Sequence, residues 1–179
     1  MPCYSLISTR NMNDIFRISV DTLWFIVPCL LVNSALNLFY ETKRKYDAER
    51  YDMPFDFGLF LGKNRILGQS TTWGGLLISL LIGLLLSYFF ADIHGLAIGL
   101  GCFFGHALGS FIKRRFGIAR GAYLPIVDHG DYVLLTGALL LLSSDLPIEA
   151  YAAGVVSILV MHPIICIVAH KAGFRDNPL

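Results

Sequence analysis

The chain is poor in charge and has no clustered cysteine pattern. Only 15% of its 179 residues are charged, whereas 55% are hydrophobic, and the hydrophobic residues come in blocks. This composition excludes an ordinary soluble domain and predicts an integral membrane protein. The four cysteines are scattered singly without a C-x-x-C pair, so neither a disulfide framework nor a zinc site is expected. The net charge of +1 gives no reason to expect a nucleic-acid partner.

A cleavable signal peptide is also not evident, because no small-residue cleavage pattern follows a short apolar core. Residues 1–21 are polar and mixed in charge, and within them residues 7–20 are predicted to form an amphipathic helix on the membrane surface. Residues 22–179 are predicted to form a single multi-pass membrane domain.

Five apolar segments follow, and each is compared with the ~20 helical residues that cross the hydrocarbon layer. The segments are 22–40, 73–90, 96–112, 131–143 and 151–169. The fourth is short and can be completed by residues 125–130. The sequence therefore predicts an all-α membrane protein of about five transmembrane helices.

The basic residues predict the orientation of these helices. They are concentrated in the loop 41–72, in the loop after the third span and in the C-terminal tail, whereas the hairpins 92–95 and 143–147 carry none. With five spans, all three basic regions lie on one side, which the positive-inside rule assigns to the cytoplasm. The N-terminus is then outside and the C-terminus is cytoplasmic, in the cell membrane. Lys43, Arg44 and Lys45 are assigned to the solvated cytoplasmic face.

A group of charges lies at the boundary between the third and fourth spans, where charge is costly and usually functional. Asp128 and Asp131 are spaced i, i+3, so in a helix they share one face. Such oxygen ligands suit Mg²⁺, which takes one or two carboxylates plus substrate phosphates. Lys113 and Arg114 are placed to bind phosphate oxygens, and Ser110 lies one turn deeper to donate a hydrogen bond.

The first basic loop adds a second part of the predicted site. Lys63 and Arg65 supply charge, and Gly68 leaves backbone open to a ligand. Ser70 and Thr72, with the intervening threonine, are predicted to cap the second span, whose N-terminus favours an anion. Together these residues predict a phosphate-binding loop facing the cytoplasm.

Two plainer interpretations of these polar residues stay open. The basic cluster 113–115 can serve only as a topology anchor, or it can form structural salt bridges with the two aspartates. Asn33, inside the first span, can bond to another helix or to a substrate. His162, beside Pro163, is predicted to be a packing residue rather than a ligand.

These residues also occur within a set of separated motifs. The motifs are Pro28-x4-Asn33, Asp56-Phe57-Gly58, Gly62-Lys63-Asn64-Arg65-Ile66-Leu67-Gly68, Thr72-Trp73-x-Gly75, Gly109-Ser110-Phe111-Ile112-Lys113-Arg114-Arg115 and Pro125-x-x-Asp128-x-x-Asp131. In this order and spacing, over residues 28 to about 142, the chain resembles the CDP-archaeol synthase family. That family is similar in turn to bacterial phosphatidate cytidylyltransferases, which share the Ser-x-x-Lys-Arg motif and the paired aspartates.

The resemblance implies a five-helix membrane enzyme that transfers CMP from CTP to a lipid phosphate with Mg²⁺ and releases pyrophosphate. The implied catalytic residues are Lys113, Arg114, Asp128 and Asp131, with both aspartates as metal ligands. The implied nucleotide- and phosphate-binding residues are Lys63, Arg65, Gly68, Ser70, Thr72 and Ser110.

The chain departs from the family pattern at four positions. Gln69, Thr71 and Gly74 stand where the family usually has an acidic residue, a lysine and an arginine, and His106 stands where it has an aspartate. Because imidazole is a poor Mg²⁺ ligand, His106 marks an altered position of the site. The alternatives are a family member that binds lipid or nucleotide without turnover, as a membrane scaffold, and an anionic-lipid transporter. Glycines spaced four apart in residues 95–109 allow close helix contact, within the chain or in a homodimer.

Overall fold

The computed structural model of the protein describes residues 12–62, 64–90, 94–118, 124–143 and 146–173. Within these residues the fold consists of five α-helices, one 3₁₀ turn at Ala48–Tyr51 and one antiparallel hairpin. The helices are α1 (Met12–Lys45), α2 (Trp73–Phe90), α3 (His94–Arg115), α4 (Pro125–Ser143) and α5 (Ile148–Lys171), and the hairpin strands are β1 (Phe60–Leu61) and β2 (Asn64–Arg65). The predicted all-α fold with five helices is confirmed.

The helix bounds follow the predicted spans closely. The second span is α2 itself, and α4 starts at Pro125, six residues before the apolar run, because proline is well tolerated at the first helical position. Helices α1, α3 and α5 are each long and apolar enough to cross a membrane, whereas α2 and α4 are shorter.

The amphipathic helix predicted for residues 7–20 is not a separate element in its described part. Residues 12–20 form the first turns of α1 and continue into the span without a break. Residues 1–11 lie outside the described residues, and the division of the chain after residue 21 stays a prediction.

Helix α3 lies between α2 and α4 and contacts both through glycines. A Cβ atom on Gly99 would lie 2.5 Å from the carbonyl oxygen of Ser79 on α2, and one on Gly105 would lie 2.5 Å from that of Asp131 on α4. The backbones therefore touch directly, as small residues permit between membrane helices. The glycine run packs helices within the chain, and a homodimer stays a prediction.

The bundle core lies between α1 and the other helices. Phe25, Val32 and Leu36 of α1 are almost completely buried, as are Tyr132 and Ile158 of α4 and α5. Long apolar side chains on the outer faces are exposed, as expected of helices that face lipid. The cysteines described, Cys29, Cys102 and Cys166, are buried and form no disulfide with one another, which agrees with their interpretation as packing residues.

Asn33 and His162 form an interhelical contact within this core. The amide nitrogen Nδ2 of Asn33 lies 3.3 Å from Nε2 of His162, and both residues are buried. Of the two alternatives for Asn33, the structure shows the bond to another helix. His162 is a packing residue, as predicted.

The loop between α1 and α2 is folded against the helix ends. The backbone N–H of Phe55 donates to Thr71 and that of Trp73 to Met53, both at 3.0–3.1 Å, so the two ends of the loop run side by side. The hairpin is fixed to the end of α3, because Arg115 Nη1 donates to the carbonyl oxygen of Leu61 at 3.0 Å. This docking brings the first basic loop and the basic end of α3 together.

Candidate functional site

Asp56 organises the basic loop from its buried side. Its carboxylate accepts hydrogen bonds from Arg65 Nη2 at 2.6 Å and from the backbone N–H groups of Gly58 and Leu67 at 3.1 and 2.9 Å. Burial, the largest single effect, acts to raise the pKa of Asp56, but the bonds from Leu67, Arg65 and Gly58 together hold that pKa below its ordinary value. Asp56 therefore stays ionised and fixes Arg65 in place.

Lys43 is buried, which corrects the prediction that it belongs to the solvated face. It is 9% exposed, its ammonium group pairs with Asp52, and it also donates to Thr72 Oγ1 at 3.1 Å. The ammonium lies 4.5 Å from the centre of the Phe39 ring. Because lysine can lie along apolar side chains while its charge finds a partner, a basic residue at a helix end need not face solvent.

The N-terminus of α2 already holds an anion from the protein. The backbone N–H of Gly74 donates to Asp52 Oδ1 at 2.9 Å. Burial, the largest effect, acts to raise the pKa of Asp52, but the bonds from Lys43, Thr72 and Gly74 hold that pKa below its ordinary value. The predicted anion site therefore exists, and a carboxylate rather than a substrate phosphate occupies it.

Thr72 has a capping role. Its hydroxyl accepts from the backbone N–H of Gly75 at 3.3 Å, as in a standard N-cap, and the residue is 3% exposed. The predicted cap is therefore present, but the hydroxyl is not accessible to a nucleotide in this conformation. Thr71 is also fully buried.

A cavity of about 290 Å³ lies between the basic loop and the end of α3. Its lining residues are Phe60, Asn64, Arg65, Gly68, Gln69, Ser70 and Arg114. The Nε atoms of Arg65 and Arg114 are buried, and no group in the described part of the chain accepts from them. None of the described residues that line the cavity carries a carboxylate. Two guanidinium groups with unused donors, beside small polar side chains, suit an anion with several oxygens.

Gly68 shapes one wall of this cavity. Its φ of +77° is a conformation that side-chain-bearing residues rarely adopt, and a Cβ atom there would lie only 3.3 Å from Arg114 Nε. Arg114 Nη1 donates to the carbonyl oxygen of Ile118 at 2.7 Å, so the guanidinium is held at the end of α3. Arg65, Gly68, Ser70 and Arg114 are thus brought together, as the prediction required.

Lys113 and Asp128 form an ion pair between α3 and α4. Lys113 Nζ lies 2.8 and 2.9 Å from the two carboxylate oxygens of Asp128, with 13% and 27% of the two side chains exposed. Asp128 Oδ2 also accepts from the backbone N–H of Leu124 at 2.8 Å, which caps α4. Of the residues in the basic cluster 113–115, Lys113 therefore forms the structural salt bridge that was one of the alternatives, whereas Arg114 lines the cavity.

Asp131 lies one turn further along α4 and is packed against α3. Its Oδ1 accepts from the backbone N–H of Tyr132 at 2.7 Å, and its Oδ2 lies so close to Gly109 that a Cβ there would overlap it. Among the residues that the structure describes, no basic side chain forms a salt bridge with Asp131. Because a partly buried carboxylate without a counter-charge is costly, a bound cation would stabilise it.

The two aspartates fit the predicted Mg²⁺ site as partial ligands. In the described ranges no group of three or more His, Cys, Asp or Glu side chains is arranged to hold a metal. Mg²⁺ needs no such group, because it keeps waters and takes its remaining ligands from substrate phosphates. Asp128 and Asp131 carry carboxylate oxygens on successive turns of one helix, and the residues predicted to bind phosphate lie at the neighbouring helix end.

The remaining predicted residues do not line the cavity. Ser110 is buried within α3, and Lys63 lies outside the described residues. The ring of His106 stacks on that of Tyr40 with centroids 5.4 Å apart, and no described group bonds its buried Nε2 atom. Its imidazole packs against α1.

The sequence prediction missed the residues that position the site. Asp52 and Asp56 hold the loop, and His129 is buried beside Asp128. Asp56 had a signal, because it belongs to the Asp56-Phe57-Gly58 motif. Asp52 and His129 had none, because their partners lie far away in the sequence.

A bundle of apolar helices with an arginine-lined cavity defines an integral-membrane protein whose site suits a polyanion, and the similar proteins identify it as an enzyme of the nucleotidyltransferase class. The profile described as CarS-like, CDP-archaeol synthase, matches residues 86–179. The CDP-archaeol synthase of Thermofilum pendens is 34% identical, over 94% of this chain and 81% of that protein. That of Archaeoglobus fulgidus is 31% identical, over 89% and 97%. The chain belongs to the CDP-archaeol synthase family.

A solved structure supports the fold. It is described as an intramembrane enzyme for archaeal membrane lipids biosynthesis, and it matches with a TM-score of 0.60 over 88% of this chain and 95% of that one. The identity of 23% is low, so this likeness concerns the arrangement of the helices.

Proposed function

We propose that the protein transfers CMP from CTP to a membrane lipid phosphate, which gives a CDP-lipid and pyrophosphate. The observation that carries the proposal is the cavity that Arg65 and Arg114 line together, each with a buried Nε atom from which no described group accepts. Lys113, which pairs with Asp128, is the sequence neighbour of Arg114. The curated relatives are named for CDP-archaeol, which supports an acceptor of the archaeol type.

The reaction brings two anions together, so the enzyme mainly has to position them and offset their charge. An oxygen of the lipid phosphate attacks the α-phosphorus of CTP, the bond to the β-phosphate oxygen breaks, and pyrophosphate leaves. Arg65 and Arg114 bind and orient the triphosphate, and the Lys113 ammonium offsets charge at the end of α3. Mg²⁺, held by Asp128 and Asp131 together with phosphate oxygens, would supply further charge neutralisation.

The reaction is placed at the cytoplasmic face, where CTP is available. The basic loop, the end of α3 and the end of α5 carry the positive charges, and the positive-inside rule assigns them to the cytoplasm of a cell membrane. The lipid phosphate reaches this face from the inner leaflet.

The test uses purified protein in lipid nanodiscs with labelled CTP and a panel of lipid phosphates, with and without Mg²⁺. We expect a labelled CDP-lipid and pyrophosphate only with Mg²⁺, and loss of both products in Asp128→Asn and Asp131→Asn. Formation of product without a divalent cation, or activity of the two variants equal to that of the parent protein, would contradict the metal assignment. No CDP-lipid with any acceptor would contradict the activity.

A second candidate is binding of nucleotide or lipid without turnover. The closed Lys113–Asp128 pair and the residues Gln69, Gly74 and His106 favour it, because they reduce the free charge around the site. Mg²⁺-dependent CTP binding that is never followed by CDP-lipid formation would support this candidate.

A further inference from the structure

A chain of buried polar side chains crosses the bundle and ends beside the proposed metal ligands. Asn33 on α1, His162 on α5 and His129 on α4 are 6%, 7% and 4% exposed. Asn33 Nδ2 lies 3.3 Å from His162 Nε2, and His162 Nδ1 lies 2.5 Å from His129 Nδ1. His129 is the neighbour of Asp128 and lies two residues before Asp131.

The contacts define which atoms carry protons along this chain. An amide nitrogen can only donate, so Nε2 of His162 accepts and carries no hydrogen. A neutral His162 then carries its hydrogen on Nδ1 and donates it to Nδ1 of His129, which in turn carries its hydrogen on Nε2. Neutral rings suit the apolar bundle interior, where charge is costly. Cys166 Sγ, 3.6 Å from His162 Nδ1, is a further buried neighbour.

The first turns of α4 are tied to α3 by the Lys113–Asp128 ion pair, and the His129–His162 contact adds a directed bond to α5. On the α3 side, α4 packs against bare glycine backbone at Gly105 and Gly109. On the α5 side, a Cβ atom on Gly130 would meet only flexible leucine side chains, at 3.4 Å or more. The glycine contacts do not by themselves define a rotation, so the directed bonds to Lys113 on α3 and to His162 on α5 together fix the rotation of these turns.

We propose that Asn33, His162 and His129 are positioning residues that set the rotation of the first turns of α4 and so aim Asp128 and Asp131 at the metal. In this proposal they act through the two aspartates and are not themselves ligands of the metal. This inference rests on the proposed function, because it concerns the ligands of the metal that the reaction uses. Residues that orient metal ligands typically change metal affinity by about 10- to 100-fold when they are removed.

The matched variants are His129→Leu and His129→Asn. Leucine removes the acceptor for the His162 proton, whereas the asparagine oxygen replaces it at nearly the same place. The measurement is CTP binding in nanodiscs as a function of Mg²⁺ concentration, with thermal stability recorded for each variant. We expect the half-saturating Mg²⁺ concentration to rise about 10-fold or more in His129→Leu and to stay within about 3-fold of the parent in His129→Asn.

Asn33→Leu provides a second test at the far end of the chain, on a helix that supplies neither aspartate. It should shift the Mg²⁺ dependence in the same direction. If both leucine variants lower the melting temperature but leave the Mg²⁺ dependence of the folded protein unchanged, the residues are merely structural and the proposal is overturned.

A readout without metal or nucleotide comes from ¹⁵N NMR of histidine-labelled protein, with His129→Asn used to assign the signals. We expect His162 to carry its hydrogen on Nδ1 and His129 on Nε2. If His162 instead carries its hydrogen on Nε2 and His129 on Nδ1, the direction of the hydrogen bonds proposed here is wrong.

The Asp128→Asn variant separates failure of this inference from failure of the proposed function. If Asp128→Asn leaves Mg²⁺-dependent CTP binding unchanged, the metal assignment itself is wrong. If Asp128→Asn abolishes that binding while His129→Leu leaves it unaltered, only the positioning role is wrong.

Discussion

Basic residues at the helix ends of this protein have different environments, although the sequence makes them look alike. Lys43 is enclosed by Asp52, Thr72 and an aromatic ring, whereas Arg44, the next residue, is exposed and pairs with the nearby Glu41. Arg114 keeps an unused donor in a cavity. The charge of a basic residue therefore does not indicate its role. Its partners show whether it packs inside the fold, faces solvent at a helix end or lines a cavity for a ligand.

Arg114→Gln should weaken CTP binding without unfolding the protein. The substitution removes the charge and the guanidinium fork from the cavity, and a hydrogen bond to a charged group contributes about 1.5–3 kcal/mol. We expect a rise in the dissociation constant for CTP of about 10- to 100-fold by titration calorimetry. Arg44→Gln is the matched control and should bind CTP as the parent does. Equal losses in both variants would show that general surface charge, rather than the cavity, attracts the nucleotide.

Lys43→Met should destabilise the fold, because it leaves Asp52 partly buried and without its cation. Removal of one partner of a buried pair costs about 3 kcal/mol or more. Methionine keeps most of the apolar part of the lysine side chain, so the loss of stability measures the effect of removing the charge rather than of removing packing contacts. The measurement is thermal unfolding in detergent, with Lys45→Met, at an exposed position two residues further along α1, as the control. An unchanged melting temperature in Lys43→Met would show that the Asp52 pair contributes no net stability.

At the scale of elements, α3 holds its neighbours through backbone contact. Gly101 faces Thr136 of α4 so closely that a Cβ atom would lie 2.5 Å from its hydroxyl and 2.6 Å from its Cα. Such contact is rigid on both sides, because a backbone atom cannot rotate away as a side chain can. The α3–α4 distance, on which the Lys113–Asp128 pair depends, is therefore set by glycines.

Gly101→Ala should force α3 and α4 apart. Overpacking costs about 1–3 kcal/mol, whereas alanine itself favours a helix over glycine by about 1 kcal/mol. Gly130→Ala, which meets only the flexible Leu134 and Leu159, supplies the control with the same helix preference. We expect a lower melting temperature for Gly101→Ala and an equal or higher one for Gly130→Ala. If the two variants have the same melting temperature, the close contact at Gly101 does not determine the stability of the α3–α4 packing.

The loop around Asp56 should lose its order in acid. The pKa of Asp56 is lower in the folded protein than its ordinary value of about 3.9. The stability that the ionised Asp56 carboxylate gives to the loop is therefore complete at pH values above its ordinary pKa. This stability is lost as the pH falls through the lower pKa of the folded protein. We expect the Gly58 and Leu67 amides to keep constant hydrogen-exchange protection, corrected for the intrinsic rate, from pH 7 to about 5, and to lose it below about 4. Asp56→Asn should show weaker protection throughout and a flatter profile.

At the scale of the whole molecule, the sequence predicts what depends on local signals. Apolar length and turn residues define α2 and α5 closely, and paired spacing places Asp128 and Asp131 on successive turns. The Thr72 cap on α2 was predicted, but the second acceptor at this helix end was not, because Asp52 lies 22 residues before Gly74 and meets it only through the path of the loop. The His129–His162 contact is equally distant in sequence and depends on how three helices pack.

The orientation of the molecule follows from its charge and can be tested independently of activity. Moving the basic loop to the outside would carry six basic residues of the region 41–72 across the membrane, against the positive-inside rule. Single cysteines at the exposed positions Tyr51 and Ile148, on a Cys3→Ser background, report the two faces. We expect Ile148→Cys to react with an impermeant maleimide in intact cells, and Tyr51→Cys to react only after permeabilisation. Reaction of Tyr51→Cys in intact cells would place the arginine-lined cavity outside, away from cytoplasmic CTP, and would contradict the proposed reaction at this face.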